Sequence, residues 1–296
     1  MTGAQFADSW QAHRGYLIDL AYRMLGDVGA AEDMVQEAFA RLARADDDIL
    51  DERGWLTVVT SRLCLDQIRS ARARHEHPQD TALLEAATPV ATDRPVDPAD
   101  RITLDDQVRQ ALTVVLQRLG PDERVVFILH DVFATPFDTI AQTLGRPVAT
   151  CRQLARRARA KITDATGTTS QPVPFAEHRL ITEKFIAACT NGDLDALLSV
   201  LHPSVWGRAD FGPDSPLRPQ VNHGADRVAN GLMVFYHQQN AVFVTDPAGD
   251  PLTLLAFIDR ALFATLTLTV ENGLVTSIQV RGDLSAFPGI GVNRAN

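Results

Sequence analysis

Between Phe137 and Ile162 the chain reads FDTIAQTLGRPVATCRQLARRARAKI. Its second half carries Arg152, Arg156, Arg157, Arg159 and Lys161 with no acidic residue among them, on a chain of 296 residues whose formal net charge is −9. Concentrated basic charge on an acidic protein fits a polyanion, and a phosphate backbone is the most economical one. Cys151, Leu154 or Ala155, Ala158 and Ile162 recur at helical spacing as a stripe of small buried side chains. Arg152, Arg156 and Arg159 share another face. The preceding stretch turns Phe137, Ile140, Ala141 and Leu144 inward. Gly145 suits a left-handed turn, and small Ala141 lets two helices cross closely. This is helix-turn-helix spacing, with the second helix suited to a DNA major groove. Thr150, Arg152 and Gln153, near its start, are placed to reach base edges, and Arg156 and Arg157 to meet phosphates. The alternative is a solvated basic helix on an ordinary helical pair.

The elements that must hold this segment fall into blocks. Directly before it, LQRLGPDERVVFILHDVFATPF supplies a supporting helix that starts at Pro121-Asp122-Glu123 and turns Val125, Val126, Ile128 and Leu129 inward. Residues 6–76 are helical in pattern and free of proline. In 31–42 Val35, Ala38, Phe39 and Leu42 form one face and Glu32, Asp33, Gln36 and Glu37 lie outside, an acidic face of the kind that is ordinarily just solvated. In 54–76 Leu56, Val59 and Leu63 can pack inward. Arg62, Asp66 and Arg69 share a face, so Asp66 is expected to pair with Arg62 or Arg69, while Arg69, Arg72 and Arg74 can grip phosphates. Residues 78–101 hold Pro78, Pro89, Pro95 and Pro98 among five carboxylates and read as an acidic linker.

A second linker covers 166–176, and from 177 to 296 the pattern changes to α+β. Helices are expected at 177–190, 193–201 and 225–239, a strand near 204–210, and strands at 252–257, 261–270 and 274–280. Glu271-Asn272-Gly273 is a hairpin turn. His202-Pro203 reads as a helix-ending turn, and Asp226 as the cap of the helix at 225–239. The predicted domains are therefore 1–77, 102–165 and 177–296, two all-α units followed by an α+β unit.

Other classes are excluded or disfavoured. Cys64, Cys151 and Cys189 are odd in number and widely spaced, which fits neither a disulfide framework nor a zinc ribbon and agrees with a reducing cytoplasm. Each is expected to be a small buried apolar residue. No apolar run approaches the ~20 residues of a membrane span, and the N-terminus has no basic start followed by an apolar core. Neither a metal nor a cofactor is expected.

The order EDMVQEAFARL, GWLTVVTSRLCLDQIRS, acidic linker, LGPDERVVFILHDVF and FDTIAQTLGRPVATCRQLARRARAKI resembles an extracytoplasmic-function sigma factor over residues 6–165. The resemblance implies a promoter-specificity subunit of bacterial RNA polymerase, cytoplasmic and not an enzyme, with 6–76 as its region 2 and 102–165 as its region 4. Its partners would be core polymerase, through the β′ clamp helices and the β flap, and promoter DNA. Asp33, Gln36 and Glu37 would face the clamp helices, overriding the bland reading of that acidic face. Trp55, Arg62, Arg69 and Arg72 would lie near the −10 element, where single-stranded DNA is captured. Thr150, Arg152, Gln153, Arg156 and Arg157 would serve the −35 element. One departure is Leu63 in TSRLCL, where many family members carry Asn.

HPSVWGRADFG, GADRVANGLMVFY and LTLTVENGLVTSIQVRGDL make the C-terminal unit similar to an NTF2-like or SnoaL-like cone, an arrangement that sigma-J-type sigma factors carry in this position. Such a cone usually encloses an apolar pocket, which leaves room for a small ligand. Trp206, Asp210, His223, His237 and Asp259 are its candidate lining. The group's glycine-rich and terminal motifs are largely lost here, in FGPDSP and VRGDL. The expected role of the unit is regulation in cis, since a tether keeps it at high local concentration. Two rival readings are a stand-alone helix-turn-helix regulator with a ligand-binding cone, which leaves 31–76 unexplained, and an enzyme with the cone as its active site, which lacks an acid–base constellation.

Overall fold

The computed structural model describes residues 3–45, 49–76, 119–166, 175–212, 219–237, 239–246 and 252–282. Helices α1 (Gly3–Leu25), α2 (Val28–Arg44) and α3 (Glu52–Glu76) form a first unit. A second contains α4 (Pro121–Phe127), prolonged by a π-turn at Ile128–Val132, then α5 (Phe137–Leu144) and α6 (Val148–Thr166). The third joins α7 (Phe175–Asn191), α8 (Leu194–Val200) and α9 (Ala225–Leu232) to a six-stranded sheet. Its strands are β1 (Leu201–Asp210), β2 (Gln220–His223), β3 (Val242–Thr245), β4 (Thr253–Ile258), β5 (Ala261–Glu271) and β6 (Leu274–Gly282), in the spatial order β2-β1-β6-β5-β4-β3. β1 and β6 pair in parallel and the other neighbours antiparallel. The expected two helical units and α+β unit are present. The acidic linker at 78–101 and residues 167–174 of the second linker lie outside the described residues.

Local chemistry sets the boundaries. The Asp27 carboxylate caps α2 by accepting the Ala30 N–H at 2.7 Å. Pro121 opens α4, where its missing N–H leaves no bond unmade. Gly145 ends α5 with φ 61° and ψ 37°, the left-handed conformation read from its position. Asn272 and Gly273, with φ 51° and 77°, turn β5 into β6 as expected.

Two local expectations are overturned. His202-Pro203 does not end a helix: α8 stops at Val200 and β1 begins at Leu201. Pro203 sits where the β1–β6 register slips, between Leu201↔Val275 and Trp206↔Ser277, so its absent N–H disrupts no ladder bond there. Asp226 does not cap α9. Gly224 holds that position without a side-chain cap, and Asp226 lies in the first turn, where its charge suits the helix dipole. The short edge strands β2 and β3 are additions to the sequence reading.

The sheet serves two cores. Along β4, Leu254, Ala256 and Ile258 face the helix-covered side with Phe185, Leu197 and Val228, while Leu255 and Phe257 join the core of α1–α3. In β3, Phe243 faces the helix-covered side, and Val242 and Val244 join the core of α1–α3. Successive side chains of a strand point to opposite faces, so a strand covered on both sides reads as the unbroken apolar run LLAFI. The Tyr22 and Phe257 rings meet across this seam, 5.5 Å apart.

The seam encloses the C-terminal part of α1. Every residue from Leu17 to Met24 is buried, including Asp19 and Arg23. Their polar groups are answered from β3. Asp19 Oδ1 accepts the Thr245 N–H at 2.8 Å and the Thr245 hydroxyl at 2.7 Å. Arg23 Nε donates to Thr245 Oγ1 at 3.1 Å and to Asp19 at 3.4 Å. A buried charge stripped of its partner is far more costly than a lost neutral bond. Asp19→Ala is therefore expected to cost about 3–5 kcal/mol, and Thr245→Val, which keeps the ion pair, about 1 kcal/mol. Urea unfolding of the full chain measures both, and equal losses would show that the seam does not depend on the charge.

Candidate nucleic-acid interface

The helix-turn-helix unit stands on a core of small side chains. Cys151, Ala155 and Ala158 are fully buried on α6, against Ile140 of α5 and Val125, Val126 and Leu129 beneath. The three cysteines of the chain are buried and free. Burial pushes the Cys64 thiol up to about 12 and raises those of Cys151 and Cys189, so all three act as apolar fillers. Outward from this stripe Arg152, Gln153, Arg156 and Arg157 are exposed and Thr150 is half-buried.

The basic charge of α6 is not uniform in use. Arg159 Nε donates to Asp131 at 2.8 Å and Lys161 Nζ to Glu123 at 2.6 Å. Glu123 also accepts the Gly120 N–H at 2.9 Å. Burial alone would raise the Glu123 carboxyl, but Lys161, that N–H and the nearby charge of Arg157 outweigh it and hold the group below its ordinary value. Its stabilisation is thus present above the unfolded carboxylate pKa and lost as pH falls. The last turns of α6 consequently brace the unit. Among the described residues Arg152, Arg156 and Arg157 carry no ion pair, although Arg152 lies over the Phe137 ring at 5.6 Å. The free cationic surface is the N-terminal half of α6, with Gln153 among the arginines.

On α3 the basic residues are engaged elsewhere. Arg62 donates to the Gln142 carbonyl at 2.6 Å and the Thr143 carbonyl at 3.3 Å. These carbonyls close the last turn of α5, the negative end of its dipole. Arg69 pairs with Asp122 of α4 at 2.7 Å, and Asp122 also lies 3.5 Å from Arg146. The expected pairing of Asp66 with Arg62 or Arg69 is therefore not formed, because both guanidinium groups reach across to the second unit. Trp55 and Leu63 are half-buried against the core, and Arg72 is exposed.

The acidic face of α2 is also occupied. Asp33 and Gln36 are exposed, and Glu37 pairs with Arg41 of its own helix at 2.9 Å. Asp33 accepts from Arg260 Nη2 at 2.8 Å. Glu32 stands between Arg14 at 3.2 Å and Arg260 at 3.4 Å. Arg260 belongs to the third unit, at the tip of the β4–β5 hairpin. Nothing in its sequence neighbourhood marks it as a partner of α2.

The five expected lining residues of the cone do not converge. Along β1, Val205, Gly207 and Ala209, with Phe211 just beyond, lie on the inner side, so the strand period turns Trp206 and Asp210 outward. Trp206 and His223 are cross-strand neighbours, His237 lies against the Thr190 carbonyl at 3.2 Å, and Asp259 sits in the β4–β5 turn. A mainly apolar cavity of about 90 Å³ does open between β1, β2 and α9, but it is lined by residues such as Phe211, Asn222, Leu232, Tyr236 and Ile278. Tyr236 also borders the cleft against Trp10 and Arg14 of α1.

Comparison with known proteins agrees with this anatomy. Residues 10–74 match Sigma-70 region 2 and residues 109–162 match Sigma-70, region 4. The chain is 52% identical over 273 residues to a probable ECF RNA polymerase sigma factor, SigI, of Mycobacterium tuberculosis, covering 92% of this chain and 91% of that protein. It is 41% identical over 225 residues to the ECF RNA polymerase sigma factor SigJ of the same organism, covering 76% and 71%. The crystal structure of M. tuberculosis SigJ aligns over 94% of this chain and 96% of that one, at 30% identity and a TM-score of 0.37.

The division of α6 gives a test. Arg156→Ala is expected to weaken promoter binding in the presence of core RNA polymerase at all sequences alike, and to reduce the slope of log affinity against log salt by about 1. Arg159→Ala should leave that slope unchanged and lower the thermal midpoint instead. Titrations at several salt concentrations, with melting curves of both variants, separate the two roles.

Proposed function

The chain belongs to the extracytoplasmic-function sigma factors of RNA polymerase, and from that premise we propose that it selects promoters through α6 and α3 and is regulated in cis by its third unit. In this reading Thr150, Arg152, Gln153, Arg156 and Arg157 serve the −35 element. Trp55, Arg62, Arg69 and Arg72 serve the −10 element, and Asp33, Gln36 and Glu37 meet the polymerase clamp. The observation that carries it is the unequal availability of these sets. The N-terminal half of α6 is open to solvent, whereas Arg62 and Arg69 hold the second unit and Asp33 holds the third.

This arrangement supports a latent form. The guanidinium groups that would grip promoter phosphates are spent on Asp122 and on the carbonyls at the end of α5. Moving to DNA exchanges one set of anionic or dipolar partners for another, so the cost of release is modest. The cis role draws on the apolar seam with α1. A chain cut after residue 165 would lose Phe257 from Tyr22 and Thr245 from Asp19 and Arg23, so truncation confounds regulation with unfolding. A small ligand of the third unit would have its place in the cavity bordered by Tyr236, which reaches both that space and the cleft against α1.

Asp122→Asn tests the latent form directly. It frees Arg69 without altering any residue assigned to DNA, and is expected to raise run-off transcription with the cognate core polymerase about twofold, the scale of one exposed ion pair. Arg69→Ala should lower it. A fall in both variants would mean that the Arg69–Asp122 pair supports the active form and does not oppose it.

A further inference from the structure

The same backbone turn occurs twice in the sheet, with opposite residue choices. Both β-hairpins beside β5 close with two residues at positive φ. Between β5 and β6 these are Asn272 and Gly273, the residues that such turns favour. Between β4 and β5 they are Asp259 at φ 49° and Arg260 at φ 65°. A side chain in the left-handed region carries a steric cost that glycine avoids. Arg260 therefore occupies a position that turn chemistry reserves for glycine, and what it gains is contact: its guanidinium spans Glu32 and Asp33 of α2. A register slip in the β4–β5 ladder, between Ala256 and Phe257, lies just before this tip.

The receiving helix is shaped for the same contact. Gly29 stands in the first turn of α2, one turn before Asp33. A Cβ there would come within 3.0 Å of both Cδ and Nη1 of Arg260. Around the contact the two units do not pack tightly: a cleft of about 430 Å³ opens between them, bordered by Arg14, Glu32, Asn240 and Asp259. Arg260 crosses this edge as a single exposed side chain. It can let go by a change of rotamer, without disturbing the buried seam at Asp19, Arg23 and Thr245.

We infer that Arg260 is a built-in competitor for the polymerase-docking face of α2, a cation held in cis where a cation of the polymerase must bind. The inference rests on the proposed role of Asp33 in docking. It predicts a barrier of defined size and place: core polymerase must displace one tethered guanidinium from Glu32 and Asp33, and the rest of the third unit can stay docked on α1. The positive φ of Arg260 is unchanged by such a rotation, so release gives up only the ion pairs with Glu32 and Asp33.

Arg260→Gly is the decisive variant, because glycine suits the turn and removes the contact. Full-length protein carrying it is expected to bind cognate core polymerase about two- to fivefold more tightly than the parent, with an undiminished thermal midpoint. Gly29→Ala, which retains Arg260 but crowds its Cδ and Nη1, should shift affinity in the same direction. Unchanged or weaker binding by a folded Arg260→Gly protein overturns the inference. Asp33→Asn separates that failure from failure of the reading beneath it. If Asp33→Asn weakens core binding while Arg260→Gly has no effect, α2 is the docking face and the competitor is not Arg260. If Asp33→Asn binds core as the parent does, the docking assignment falls and the inference falls with it.

Discussion

Burial of the C-terminal part of α1, Leu17–Met24, on every side is the constraint from which the arrangement of the three units follows. A helix covered all round cannot carry charge unless the charge is answered where it lies. Asp19 and Arg23, one turn apart, satisfy each other only in part, and the Thr245 N–H and hydroxyl supply the remainder. This ties the position of β3 to the rotation of α1. Once β3 is fixed there, β4 must lie beside it with Phe257 on Tyr22, and the β4–β5 turn is carried to the N-terminal end of α2.

The contacts between units divide into two physical kinds. The α1–β3–β4 seam is buried around the Asp19–Arg23–Thr245 group, and separating it would expose Val242, Val244, Leu255 and Phe257 at roughly 1.5–3 kcal/mol for each large side chain. The contacts of Arg62, Arg69 and Arg260 are half-exposed to solvent, where ion pairs contribute about 0–1 kcal/mol and are screened by salt. The first kind fixes which units remain together, and the second fixes which surfaces are covered at a given moment. In the proposed function, covering the basic and acidic faces by weak pairs beside a buried seam allows them to be presented to DNA and polymerase without unfolding.

Much of this was legible from spacing alone. The stripe of Cys151, Ala155 and Ala158, the turn at Gly145, the start at Pro121 and the Asn272-Gly273 hairpin follow from local rules that tertiary packing did not override. The cone lining was not legible, because residue type suggested Trp206 and Asp210 whereas the two-residue period of β1 selects Val205, Gly207, Ala209 and Phe211. Partners across units were the other blind spot. Asp66 looks like the natural mate of Arg62 and Arg69 along a helix, yet intrahelical pairs contribute only about 0.2–0.5 kcal/mol and yield readily to carbonyls and a carboxylate presented by another unit. A buried Asp19–Arg23 pair does leave a trace in sequence: two opposite charges at i and i+4 inside the otherwise apolar LIDLAYRML.

The hairpin tip shows why local rules fail most where surfaces interact. Turn propensity would place glycine at position 260, and helix propensity would place alanine at position 29. Each residue is suboptimal for its own element, and the two lie against each other across a unit boundary. Independent departures of this kind would not be expected to coincide in space. Position 29 is thus crowded both by Arg260 and by the Asp27 cap of its own helix, and position 260 is tied to α2 by its ion pairs. A contact of exposed charges adds little to stability, so in the inference drawn from it its effect falls on access to the carboxylates of α2.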